Sequence, residues 1–146
     1  MLRASRVGLL STRYEIRDDE VVLCVWKPSA FFGGGAFVLD GRCFEVTRGG
    51  WTGRRYRLLD ESREPVAVAD GVGRIGWTLE TGGTTHEFER TSLLRNEHVL
   101  LSGDQTAGTV RRTSGWFGEA EADLPGLPLP VQVFVLVSLL SVWDED

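Results

Sequence analysis

Arg48, Arg54, Arg55 and Arg57 surround the run Gly49-Gly50-Trp51-Thr52-Gly53, and no other stretch of the chain is as well equipped for recognition chemistry. Guanidinium groups present planar forks of donors that match the oxygens of phosphates and carboxylates. A tryptophan set between glycines at a hairpin tip adds an amphipathic ring, suited to a headgroup or anionic ligand at a membrane interface. Arg48, Trp51, Arg54, Arg55 and Arg57 are therefore the candidate anion-binding set. The same residues can equally form a solvated strand face, with Trp51 folded back onto the end of the fold. Arg111-Arg112 beside Trp116-Phe117 repeats the pairing in weaker form. Alternation along a strand allows only one of those two arginines into any single patch.

Other reactive groups lack partners. His86 and His98 are the only histidines and have no metal-ligand spacing, so both read as hydrogen-bonded structural residues. The chain has no Gly-x-Ser-x-Gly elbow and no Cys–His pairing. A non-enzymatic role without a cofactor is the expectation. Phe31-Phe32-Gly33-Gly34-Gly35 lacks the lysine of a phosphate-binding loop and reads as a flexible apolar loop. Cys24 and Cys43 lie in apolar strand patterns; two buried free thiols are expected, with a disulfide as the alternative. Asp144-Glu145-Asp146 would oppose the dipole at a helix C-terminus, so this tail is expected to fray into water.

The 146 residues suit one domain, 1–146, with 42% hydrophobic and 25% charged residues. A net charge of −5 argues against nucleic-acid binding and against bulk attraction to anionic membranes, leaving local basic clusters to act alone. Basic residues are arginines apart from Lys27. The Met1–Arg6 stretch precedes only a short apolar patch and does not read as a secretory leader, so a cytoplasmic location is expected, with peripheral contact at a membrane as one option.

Frequent glycines and turn residues divide the chain into short pieces of strand character. Twelve strands are predicted: 7–10, 13–17, 20–26, 36–40, 42–47, 54–59, 65–69, 73–80, 84–90, 98–102, 106–112 and 116–121. Tyr56 and Leu58 point one way and Arg55 and Arg57 the other; Ile75, Trp77 and Leu79 share a face, as do Val66 and Val68. The 20–26 strand is apolar on both faces, so it needs outer cover, from Val7–Leu10 or from a second copy in a homodimer through Glu20–Trp26.

Helical character arrives only at the end. Pro130 suits a first turn, and Val131–Trp143 is apolar all round, as in a helix buried on every side. Thirteen residues span about 20 Å, short of the ~30 Å bilayer core. A buried helix at about 130–143 is therefore favoured over a tail anchor. With this segment outside a barrel, the alternative is a carrier of small apolar ligands.

Strands in hairpin order before an apolar C-terminal helix resemble the tubby C-terminal-like superfamily, which includes tubby domains, phospholipid scramblases and LURP-one-related proteins. The residues carrying the likeness are Phe37-Val38-Leu39-Asp40-Gly41, Tyr56-Arg57-Leu58-Leu59-Asp60 followed by Pro65-Val66-Ala67-Val68, and Val131–Trp143. The resemblance implies a closed antiparallel barrel of about twelve strands enclosing the C-terminal helix. It further implies a binding or scaffold module in contact with membrane phosphoinositide, another anionic ligand or a protein partner.

Overall fold

A computed structural model describes the chain except Leu9, Phe31, Phe32, Leu93, Leu94, Gly115, Trp116, Phe117 and Asp146. Twelve strands run β1 (Leu2–Arg6), β2 (Tyr14–Asp18), β3 (Val21–Pro28), β4 (Gly35–Leu39), β5 (Arg42–Gly49) and β6 (Arg55–Leu59). They continue through β7 (Pro65–Asp70), β8 (Gly76–Thr81), β9 (Thr84–Arg90), β10 (Glu97–Ser102), β11 (Gln105–Ser114) and β12 (Glu119–Asp123). Each pairs antiparallel with its neighbours in sequence, and β1 pairs with β12, closing the barrel. The single helix α1 (Leu129–Glu145) follows.

This topology sorts the connections into two rims. Those leading from odd to even strands lie at one end, those from even to odd strands at the other. The helix starts at the second end and finishes at the first, where Asp144 and Glu145 meet side chains from β1 and β5. We call the first end the helix-exit rim.

Pro128 ends the approach to the helix. Its carbonyl accepts from the Val131 and Gln132 amides, and the Gln132 side chain returns 2.7 Å to the Leu127 carbonyl. From Val133 to Leu140 every residue is buried. The helix thus fills the barrel, which is where a segment without a polar face has to go. At 17 residues it is about 25 Å long. Among the described residues no helix is long and apolar enough to cross a membrane.

Small residues decide where the helix lies. It approaches β12, β1, β6 and β7 most closely. Three of those strands turn alanines inward: Ala4 on β1, Ala67 and Ala69 on β7, Ala120 and Ala122 on β12. Elsewhere the wall carries Trp26, Phe37, Phe44, Trp77 and Phe88, which fill the wider gaps. Pairing small wall residues with a close helix and large ones with a distant helix keeps the core dense.

Four expectations change. The first strand is Leu2–Arg6, not 7–10, because Leu2 and Ala4 pair with Ala122 and Ala120 and close the barrel. On β7 it is Ala67 and Ala69 that face inward, with Val66 and Val68 outside, because their partners Leu58 and Tyr56 already fill the space. Ile75 lies before β8 and is exposed, apart from Trp77 and Leu79. Cys43 is an exposed thiol on the outer wall; Cys24 alone is buried, and both are free. On β3, Val21 and Val22 at the strand start are exposed, whereas Leu23 and Val25 are half-buried.

Candidate functional site

Strand parity divides the candidate arginines between the two sides of the barrel wall. Arg48 pairs across the sheet with Tyr56, which is wholly buried, so Arg48 faces inward at the helix-exit rim. Arg54, just before β6, has the same parity. Arg55 and Arg57 face outward, opposite Gly49 and Thr47. The cluster read as one patch from the sequence is therefore two.

Of the inner pair, Arg48 serves the helix end. The Arg48 guanidinium forms an ion pair with Glu145, its Nε donates to the Gly53 carbonyl at 2.6 Å, and it stacks over the Tyr56 ring at 5.8 Å. Arg54 Nη1 reaches the Val72 carbonyl at 3.4 Å. Across the rim the arrangement recurs. Arg6 pairs with Tyr14 between β1 and β2, stacks over its ring at 5.6 Å and contacts Asp144 at 3.4 Å. The Tyr14 hydroxyl donates to the Asp144 carboxylate at 2.8 Å, and burial pushes its pKa above the usual tyrosine value. Arg112 adds contacts to Asp144 and to the Trp143 carbonyl.

This collar of arginines answers the question raised by the acidic tail. Asp144 and Glu145 do not fray; both stay in the helix, with guanidiniums offsetting their charge and that of the last carbonyls. Sequence reasoning missed Arg6 and Arg112 as partners, since they lie far away in the chain and only barrel closure brings them near. One asymmetry remains. The Tyr56 hydroxyl, buried beside Arg48 and Arg54, has no hydrogen-bond partner among the described residues.

The outer pair is the freer one. Arg55 lies 3.7 Å from Asp70, with both side chains about half exposed, a contact of little strength. Arg57 is exposed and makes no ion pair among the described residues. A hollow of about 270 Å³ is lined by Thr47, Arg48, Gly49, Gly50, Arg55 and Arg57. Positions two apart on a strand are about 6.7 Å apart. Two guanidiniums at that spacing can bracket one phosphate-sized anion. Trp51, on the connection above this hollow, is fully exposed and not folded back. Trp116-Phe117 of the second, weaker pairing lies outside the described residues, as does Phe31-Phe32.

The histidines hold no such site. His98 is buried and accepts a 3.0 Å bond from the Trp77 indole at Nδ1, next to Trp143. Burial, with a smaller push from Arg90, lowers its pKa to about 4, so the imidazole is neutral. The Cys24 thiol is pushed up by burial to about 11 and is not reactive. Among the described residues no group of three or more His, Cys, Asp or Glu side chains could hold a metal ion.

No family model matches the chain, and no curated protein or solved structure is significantly similar to it.

Proposed function

We propose that the chain is a non-enzymatic binding module whose outer hollow, bracketed by Arg55 and Arg57, holds an anionic group of the phosphate type. The observation that carries this reading is the exposed Arg57, without an ion pair among the described residues, beside Arg55 at the edge of a concave surface. Arg48 lines the hollow but is engaged by Glu145, and Arg54 faces the barrel mouth, so neither heads the ligand set. A tubby-like, LURP-one-related or scramblase-like assignment belongs to the same proposal. The helix-threaded barrel of twelve strands is the architecture that this resemblance implies. Phosphoinositide headgroups are the anion it suggests. A carrier with its ligand inside would need the volume that Phe134 and Leu136 occupy, both fully buried.

Calorimetric titration with an inositol phosphate tests the reading. Charge-assisted hydrogen bonds contribute about 1.5–3 kcal/mol each, so Arg55→Gln with Arg57→Gln is expected to weaken binding at least tenfold. Both side chains are on the outer wall, so the fold should persist. Equal affinity of the double variant and the original chain would refute the site.

A further inference from the structure

The two rims of the barrel differ in chemistry. Connections at the helix-exit rim (7–13, 29–34, 50–54, 71–75, 91–96 and 115–118) contain Arg13, Arg54, Arg74 and Arg95 and no acidic residue. Those at the opposite rim (19–20, 40–41, 60–64, 82–83, 103–104 and 124–128) contain Asp19, Glu20, Asp40, Asp60, Glu61, Glu64 and Asp104 against Arg63. Acids at the ends of elements on the helix-exit rim are partly engaged. Asp70 is near Arg55, and Asp144 and Glu145 are held by Arg6, Arg112 and Arg48. Glu97 and Glu119 start strands there, Glu15 and Glu89 lie one position inside strand ends, and Asp146 follows Glu145 in sequence.

The connections themselves differ in exposed apolar side chains too. Leu10 and Trp51 are fully exposed, and Val7 and Ile75 more than half, all on connections of the helix-exit rim. The opposite connections hold no exposed large hydrophobic among the described residues, although Met1 and Val21, at the strand ends beside them, are more than half exposed. Single exposed apolar side chains are ordinary on a protein surface; several on the connections of one rim, among arginines, mark it as a surface for interaction.

We infer that the helix-exit rim is a docking surface for an anionic phospholipid bilayer, on which the barrel stands end-on. Trp51, Leu10 and Ile75 enter the headgroup layer, where an indole ring is favoured, and Arg13, Arg74 and Arg95 face the lipid phosphates. This rests on the proposed anion site at Arg55 and Arg57 and names the surface that would present the anion. Charge complementarity selects the occupant, and distance removes the objection from the net charge of −5. The helix separates the rims by about 25 Å, against a screening length of about 8 Å at physiological salt. A bilayer at one rim is hardly affected by the acids of the other.

Vesicle flotation of the full chain tests the inference, with phosphatidylcholine vesicles and vesicles that also contain phosphatidylserine or a phosphoinositide. Expected are binding only to the anionic vesicles, loss of binding at high salt, and at least tenfold weaker partition for Leu10→Ser combined with Ile75→Ser. Both side chains are exposed and lie outside the candidate anion-binding set, so the variant keeps the fold, and it should bind a soluble inositol phosphate unchanged. Anionic vesicles that bind the variant and the original chain equally would overturn end-on docking. So would a chain that binds soluble inositol phosphate but no vesicle, a result that leaves the proposed function standing. A chain that floats as expected but ignores the soluble ligand keeps the docking surface and removes the hollow at Arg55 and Arg57.

Discussion

Arg48, near the end of β5, and Glu145, in the last turn of the helix, form an ion pair across 97 positions of sequence and fasten the plug to the barrel rim. Asp144 is fastened opposite by Tyr14, Arg6 and Arg112. Two strand-end Arg–Tyr pairs, Arg6 with Tyr14 and Arg48 with Tyr56, thus receive the two terminal acids of the helix. The difference between them lies in the hydroxyls: that of Tyr14 is bonded and that of Tyr56 has no partner among the described residues.

That difference predicts unequal costs. Tyr14→Phe removes a bond to a carboxylate and should destabilise by about 1.5–3 kcal/mol. Tyr56→Phe removes a buried hydroxyl without a partner among the described residues and should be within about 0.5 kcal/mol of neutral, or stabilising. Urea unfolding of the two variants measures both; equal losses would show that the Tyr56 hydroxyl has a bond of comparable strength.

Acid stability should carry the mark of His98. The unfolded chain takes up its imidazole proton near pH 6.5, whereas the native state resists until about pH 4. Between those values the unfolded state binds more protons, so stability falls as pH drops through the window and this contribution levels off below it. The loss is on the order of 3 kcal/mol. His98→Asn keeps an acceptor for the Trp77 indole and removes the titration. The difference in unfolding free energy between the variant and the original chain should therefore change from pH 7 to pH 4, and a constant difference would exclude this origin.

Helix seating depends on the alanine-lined strands. Ala120 is fully buried where the helix approaches β12, so Ala120→Leu should cost about 1–3 kcal/mol by overpacking. Phe134→Ala, at a position equally buried, should cost about 3–5 kcal/mol through the cavity it leaves. Thermal or urea unfolding checks both. A neutral Ala120→Leu would mean that the helix has room to move.

Much of this architecture was legible in the sequence. Alternation at Tyr56 and Leu58 against Arg55 and Arg57 gave the wall of β6, and the unbroken apolar run from Val131 gave a helix that had to be enclosed. Hydrophobicity misled where size mattered more: on β7 the valines outrank the alanines on any apolar scale, yet the close helix leaves room only for Ala67 and Ala69. The split of the arginine cluster was visible in outline. Parity separates Arg54 from Arg55 and Arg57 and puts Arg48 on the side of Phe44 and Val46, but what Arg48 meets there depends on the closure of the barrel around the helix, which no local pattern specifies. The collar around Asp144 and Glu145 was invisible for the same reason, since Arg6 and Arg112 reach it only through closure of the barrel. Net charge concealed the division of the rims, because a sum over the chain discards position.

The anion site at Arg55 and Arg57 is tested most directly by following the arginine Nε–H resonances during titration with an inositol phosphate. The side-chain signals of Arg55 and Arg57 should shift together and saturate, while those of Arg3 and Arg63, at the far rim, stay in place. Uniform small shifts over all arginines, or none at Arg55 and Arg57, would contradict the account.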